Sequence, residues 1–446
     1  MRRSTPSLRG GSRRRFFPRL KVQRSAYEVQ VGAVPAAMRM EHRGFKLDIA
    51  AHARLTADLS EERVAAEQDY CEACRAGGHA TLIDKAPSTP AQKQNLLEVL
   101  LSSEELQCWR RTEKSGTLST KRSELMRAGH YPPIVALAKL SRIDKMLSSF
   151  GQTLAVLASP ITGRIHAHYR IANTASGRAS CSGPNLQQVP RDPRFRALFV
   201  PEPGNVFIIA DYASMELRAA AYISEDHAMT KAFKQGIDLH RLTASQMTGK
   251  DLADVTDEER KGAKCVNFGS VYGQGASGLV QSAWDQFDVV LDFDEAKAWL
   301  QTFADTYYGF TRWRSVHFRA CERRRYIVIG KQARDGIGRI YPQSRVPEGG
   351  SFYTRCCNLP VQGACADAAM LALAYVDDRL FDAGIEGGPV AWLHDEIVLE
   401  VCDDQAELAA EILKQAMIDG FIETFPDAPI DGLVEPHIGM SLAEKC

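Results

Sequence analysis

Arg260–Gly273 reads RKGAKCVNFGSVYG. Arg260, Lys264, Phe268 and Tyr272 recur at every fourth position, with Gly273 after the last. Four residues of α-helix turn through about 400°, so each of these side chains lies about 40° from the one before. Two cations and two aromatics therefore share one helical face. Cations suit phosphate oxygens and a ring suits a nucleobase, so the face is expected to grip a nucleoside triphosphate lengthwise. The competing reading is an ordinary amphipathic helix, with aromatics in the core and cations in solvent.

Two carboxylates extend the first reading. Val206–Asp211 (VFIIAD) is a short apolar run after a Pro-Glu-Pro-Gly-Asn turn, as expected of a buried strand that ends in an acid. Tyr212–Arg218 reads as the start of a helix. Far downstream, Val390–Leu393 and Ile397–Val401 form a second and third apolar run, separated only by His394-Asp395-Glu396. A hairpin tip normally favours Gly or Asn, so acids there have no evident structural advantage. If these strands share a sheet, Asp211 and Asp395 meet. Paired carboxylates aimed at phosphate oxygens would suit two Mg²⁺ ions, which accept few protein ligands beside phosphates and water. Each acid alone reads equally well as a cap or a turn residue.

Together these blocks resemble the DNA polymerase I (family A) DNA polymerases. DYASMELR (211–218), RKGAKCVNFGSVYG (260–273) and LHDEI (393–397) are similar to that family's motifs A, B and C. Ser176–Pro190 (SGRASCSGPNLQQVP) resembles its minor-groove segment and Asn358–Asp367 (NLPVQGACAD) a palm segment. The resemblance runs from about Gly44 to the C-terminus. It implies an α+β, right-hand architecture: an antiparallel-sheet palm with helical fingers and thumb.

The resemblance also implies roles. Asp211 and Asp395 would ligate two Mg²⁺ ions, helped by the Tyr212 carbonyl, with Glu396 in support. Arg260, Lys264 and His240 (in GIDLH) would hold the triphosphate. Phe268 would stack on the incoming base, Tyr272 would gate the insertion site, and Glu216 would exclude ribose. Arg178, Asn185, Gln187, Asn358, Gln362 and His394 would contact primer–template DNA. The minor groove offers similar acceptors for every correct pair, so such donors test geometry without reading sequence. Each has a plainer reading: His240 as a packed helix residue, Asn358 and Gln362 as partners of local backbone, Glu216 as an exposed helix acid, Glu396 as a solvated turn acid. Two departures stand out. Ala213-Ser214-Met215 replaces the family's frequent Ser-Gln-Ile, and Phe268 lacks the hydroxyl that eases dideoxynucleotide acceptance. Arg339, in GIGRIYP (336–342), is similar to a basic hairpin between fingers and palm.

The chain's 446 residues suffice for two or three subdomains. Formal net charge is zero, so a DNA cleft must concentrate positive charge locally. No long apolar run stands out, so no membrane span is expected. Eleven scattered cysteines suit a reducing, cytoplasmic compartment of a bacterium or phage-infected host. Cys71-x-x-Cys74 with His79 lacks a fourth ligand for zinc. The Arg-rich, acid-free stretch 1–24 reads as a disordered basic arm, with a transit peptide or the edge of a longer coding sequence as alternatives.

The expected plan is a basic arm (1–26), an N-terminal helical region and thumb (27–150), palm (151–215), fingers (216–349) and palm again (350–446). Residues 49–82 and 90–108 read as helices, Ser115–Phe150 ends in another, with Arg142 and Lys145 toward DNA, and Asp404-x-x-Glu407 reads as a capping box. The residues before Gly44 are too few for a proofreading domain, so no exonuclease is expected unless the chain starts further upstream or a separate exonuclease or processivity factor assists. The leading expectation is a monomeric, template-dependent DNA polymerase using dNTPs. The alternatives are a single-subunit RNA polymerase and a catalytically silent DNA-binding replisome protein.

Overall fold

The computed structural model describes residues 24–445, except 83–85, 113–114, 121–123, 126–127, 288, 290 and 331–337. The expected basic arm lies outside the described residues up to residue 23. Its last residues, 24–26, already belong to the helix Arg24–Arg43.

Four antiparallel strands form the central sheet, in the order His437–Gly439, Asn205–Asp211, Glu396–Cys402, Gly387–Leu393. Val206–Ala210 are all buried, as a strand covered on both faces requires. The register sets Asp211 directly opposite Glu396 and Asn205 opposite Cys402. The hairpin strands are longer than the sequence suggested. Glu396 pairs with Leu393 and is strand, leaving only His394 and Asp395 in the turn. Glu396 is therefore no solvated turn acid: it is buried and ion-paired to Arg196 at 2.7 Å.

The helices Phe352–Asp382 and Ala406–Thr424 pack on each other and both touch the sheet. Their crossing is tight at Gly420, where a Cβ would sit 2.7 Å from the Ala368 carbonyl oxygen. Among the described residues one helix, Phe352–Asp382, is long and apolar enough to cross a membrane by length and composition, an apolar run that the sequence reading did not single out. In its most apolar window 83% of residues are buried against the rest of the protein, which makes it a core helix. Burial on all sides removes the polar face that would otherwise interrupt the apolar run.

Between sheet strand and core helix, the chain from Met215 to Arg324 is almost wholly helical. The helix expected from Tyr212 begins only at Met215. Before it, Tyr212 bridges Val434, the Ala213 N–H donates to Leu433 O at 2.8 Å, and Ser214 takes a left-handed φ of 54°. The Arg260–Gly273 motif lies on the helix Asp257–Val271. Thr256 and Glu259 close a capping box at its start, and three acids in its first turn oppose the helix dipole favourably. The Asp404–Glu407 capping box is not formed. Asp403–Gln405 make a single 3₁₀ turn, and the Ala406–Thr424 helix has no side-chain cap bond. At the other end of the chain the helices expected within 49–82 and at the end of 115–150 are Ile49–Ala76 and Pro132–Phe150, and they pack against each other.

Candidate active site

Arg260, Lys264, Phe268 and Tyr272 are all half-buried, whereas every residue from Gly262 to Val271 off this face is buried. The aromatics are thus not wholly buried as the competing reading had them, although Tyr272 also packs against the core. Phe268 sits between His240 (centroids 5.8 Å apart) and Tyr272 (6.1 Å). Arg260 is held by Asp238, which accepts from its Nε at 2.9 Å and its Nη2 at 2.6 Å. The Lys264 ammonium is pulled below its usual range by burial and by neighbouring Arg191 and Arg260. Positive charge here exceeds its local compensation, which favours a polyanion.

His240 is 4% exposed, and burial drives its pKa down to about 4. It is therefore neutral near pH 7. Asn267 Nδ2 contacts His240 Nδ1 at 2.9 Å, while Asn267 Oδ1 accepts from the Thr243 hydroxyl at 2.9 Å. In that arrangement the amide donates to Nδ1, so the imidazole proton lies on Nε2. His240 is both a packed residue, as its plainer reading had it, and a neutral donor beside Phe268. Asn267 and Asp238 were not singled out in the sequence. Their signals were a lone amide among apolar helix positions and an acid two residues before His240.

Glu216 is buried at 8% exposure, not an exposed helix acid. One oxygen accepts from Arg178 Nη2 at 2.6 Å and the other from the Tyr272 hydroxyl. This carboxylate ties the motif after Asp211, the segment around Arg178 and the end of the Arg260–Tyr272 face into one site. The helix bearing it is fixed by Arg218, whose guanidinium donates to the carbonyls of Ala213 (3.0 Å), Pro429 (2.7 Å) and Asp431 (2.8 Å).

Asp211 ends its strand and Asp395 occupies the adjoining turn, so the register brings them together as expected. Burial raises the Asp395 carboxyl to about 6, Arg178 opposes the rise, and Asp211 adds to it. A carboxyl whose charge is disfavoured by burial and by a neighbouring carboxylate suits a hard cation between them. Among the described residues no cluster of three or more His, Cys, Asp or Glu side chains is set to hold an ion. Tyr212 is buried and its hydroxyl donates to Met417 O at 2.8 Å, which anchors the backbone beside Asp211. His394 holds a left-handed φ of 65°, uncommon for a non-glycine residue and typical of constrained functional turns.

Of the residues expected to meet DNA, all but Asn185 line two adjoining hollows. Arg178, Gln187, His394 and Asp395 line one; Asn358 and Gln362 line the other, with Ser176 and Thr354. Asn185 is spent on local backbone, accepting from the Gln187 N–H at 3.2 Å. Arg339 is turned inward. It pairs with the fully buried Asp367 and donates to the carbonyls of Ser176 (3.0 Å) and Gly363 (3.1 Å). It therefore braces the Ser176–Arg178 loop against the helix that carries Gln362. Within GIGRIYP, residues 336 and 337 lie outside the described residues, and Arg339–Pro342 form a strand paired with Tyr326–Ile329.

The family model for DNA polymerase family A matches residues 55–431. The chain is 31% identical over 437 residues to a thermostable DNA polymerase I of Thermus filiformis, covering 95% of this chain and 49% of that protein. It is 28% identical over 394 residues to DNA polymerase I of Pseudomonas aeruginosa, covering 87% and 41%. The chain thus spans about half the length of the curated relatives it matches. The polymerase domain of Pol1 from M. smegmatis, solved with primer–template DNA and dNTP, superposes with a TM-score of 0.77 at 24% identity, covering 93% of this chain and 70% of that one. That likeness carries the fold, an α+β right-hand architecture. On the family match across most of its length, the chain belongs to DNA polymerase family A.

Proposed function

We propose that this chain is a template-dependent DNA polymerase that adds deoxynucleotides to a primer 3′ end. The observation that carries the reading is the continuity of the site. Asp211 and Asp395 adjoin Arg178 and Glu216, and Glu216 joins Tyr272, Phe268, His240 and Lys264. A phosphate-binding face and a carboxylate pair are thereby joined in one cleft.

In this reading Lys264, Arg260 and the Nε2–H of neutral His240 hold the triphosphate. Phe268 stacks on the base, and Tyr272 closes the insertion site from the helix end. Glu216, fixed by two donors, fills the space a ribose 2′-hydroxyl would need. Arg178 and Gln362 test the minor-groove edge of the last pair, beside Gln187, His394 and Asn358. Asn185 shapes that segment through its own backbone bond. Two Mg²⁺ ions bound by Asp211, Asp395 and the Tyr212 carbonyl would lower the pKa of the primer hydroxyl and neutralise the leaving pyrophosphate. Glu396 supports the metal site indirectly, since its carboxylate is engaged by Arg196.

The proposed subdomains follow the same logic: thumb within 27–150, palm at 151–215 and 350–446, fingers at 216–349. The sheet strand ending at Asp211 and the helix starting at Phe352 support the two inner boundaries. The cysteines of the described residues are free thiols, which suits a reducing cytoplasm. Partners are primer–template DNA and dNTPs, with a monomer as the working unit.

Primer extension on a labelled primer–template with Mg²⁺ tests the reading. Templated extension with dNTPs and not rNTPs is expected, and a mismatched 3′ end should stay untrimmed by the 446-residue chain. Extension with rNTPs would instead favour a single-subunit RNA polymerase. Tight DNA binding without extension would favour a catalytically silent replisome protein.

A further inference from the structure

The helix Tyr308–Arg324 meets the start of Phe352–Asp382 over a small apolar cluster built from Cys321, Ile327, Ile329, Tyr341, Cys356 and Leu359. Two of its members are thiols, Cys321 and Cys356, at 3% and 1% exposure and close enough for each to shift the other's pKa. His317, one helical turn before Cys321, places Nε2 3.3 Å from the Cys321 sulfur. Its ring stacks on Trp313 (centroids 5.0 Å, planes 17° apart) and is only half-buried, so the cluster lies one side chain from solvent. A buried cysteine by itself is a small apolar filler. A second thiol and an imidazole on the same sulfur are different. Among the described residues no three-ligand metal group forms, so the cluster is not a metal cage.

We infer that Cys321 and Cys356 form a peroxide-reactive dithiol, with Cys321 as the attacking sulfur, Cys356 as the resolving one and His317 as the proton acceptor. The Cys321 thiol lies below its usual range because of the neighbouring Cys356 side chain and the His317 imidazole beside it, with burial opposing. The Cys356 thiol lies above its usual range for the converse reason. Thiolate character is what makes a cysteine nucleophilic, and the imidazole contact falls on Cys321, which makes Cys321 the attacking sulfur.

The chemistry balances with a hydroperoxide as oxidant. The Cys321 thiol proton passes to His317, and the thiolate attacks one oxygen of hydrogen peroxide. The O–O bond breaks, Cys321 becomes a sulfenic acid, and the departing hydroxide takes the proton from His317 to give water. The Cys356 sulfur then attacks the sulfenic sulfur. The S–S bond forms, the S–O bond breaks, and the hydroxyl leaves with the Cys356 proton as a second water. Two thiols are oxidised and one peroxide is reduced. The product staples the helix Tyr308–Arg324 to the one carrying Asn358 and Gln362. Neighbouring Cys357 packs on Gly273, where a Cβ would lie 2.8 Å from its sulfur, so the staple adjoins the end of the Tyr272 helix.

Peptide mapping of the full chain after graded peroxide treatment and rapid alkylation tests this. A Cys321–Cys356 cross-linked peptide, reversed by dithiothreitol, is expected at doses that leave the singly buried Cys265 open to alkylation after unfolding. Cys356→Ser should trap the Cys321 sulfenic acid as a dimedone adduct. His317→Gln should slow cross-linking by about fivefold or more, through loss of the proton acceptor. Oxidation of exposed Cys108 with no Cys321–Cys356 peptide would overturn the inference, as would an undiminished rate in His317→Gln. If Cys356→Ser does not fold, the wild-type map and His317→Gln decide between these outcomes.

Discussion

Replacing Glu216 by Ala tests the centre of the site. The carboxylate is buried, accepts from Arg178 at 2.6 Å and accepts from the Tyr272 hydroxyl. A hydrogen bond to a charged group contributes about 1.5–3 kcal/mol. Arg178 is about a third exposed, so solvent screening lowers its share. The Tyr272 hydroxyl would lose its acceptor, at a cost of about 1–3 kcal/mol. The same carboxylate fills the space assigned to a 2′-hydroxyl, and with Ala that space opens. If discrimination draws on this one ordered group, the ratio of kcat/KM for dCTP over CTP should fall by roughly 10- to 150-fold, the equivalent of about 1.5–3 kcal/mol. Single-turnover insertion on one primer–template measures the ratio. Glu216→Gln separates bulk from charge, because it keeps the volume and an acceptor for Tyr272. It should remain selective. An Ala variant with the wild-type ratio would refute the steric assignment, and a Gln variant as permissive as Ala would move the effect from bulk to charge.

The remaining predictions concern the carboxylates and the imidazole. Asp395→Ala should abolish extension and leave primer–template affinity largely intact; normal extension would remove Asp395 from the chemistry. The Asp395 carboxyl is raised from 3.8 to about 6, so the fold holds its proton more tightly than the unfolded chain does. The metal-free protein should therefore lose up to about 3 kcal/mol of stability as pH rises through 6, and none of that loss is present below about pH 4. Asp395→Asn should accordingly be more stable than wild type at pH 7.5 without Mg²⁺, a gain that vanishes near pH 4; urea unfolding at both pH values reads it. Glu396→Ala should destabilise by about 3–5 kcal/mol, because it strands the nearly buried Arg196, and an unchanged urea midpoint would contradict that pairing. With His240 depressed to about 4, KM for dNTP should show no His240 step between pH 6 and 8, and an ionisation near 6.5 that disappears in His240→Ala would overturn the neutral imidazole.

What the sequence disclosed follows from which signals are local. The every-fourth spacing of Arg260 to Tyr272 needs only helix geometry, and the helix exposes that face as expected. The meeting of Asp211 and Asp395 needed one further assumption, that two apolar runs share a sheet, and the register supplies it. The assumption did not reach the hairpin's length, because apolar content stops marking a strand where Glu396 enters it against a buried Arg196. Asp238, Asn267, Arg196 and Asp367 were illegible for a related reason. Each acts on a partner 22 or more residues away, so its own neighbourhood does not show what it acts on. Arg339 was legible only as part of a segment similar to a basic hairpin, and its charge is consumed inside the protein by Asp367 and two carbonyls.

These pairings also bear on how substrate would enter. Arg260 already spends two N–H groups on Asp238, and Glu216 already holds Arg178 and Tyr272. A triphosphate therefore meets cations whose direction is set, at the cost of sharing them with carboxylates. Lys264 differs, because its neighbours are mostly cations and burial. An anion there relieves repulsion and displaces no partner, so the largest gain on nucleotide binding should fall on Lys264. Arg260 then serves mainly as a positioned second contact. Truncating Lys264 should accordingly raise KM for dNTP more than truncating Arg260 does. Asp238→Asn should lower KM, because it releases Arg260 from its carboxylate. A higher KM in Asp238→Asn would mean that orientation by Asp238 outweighs its competition for the charge.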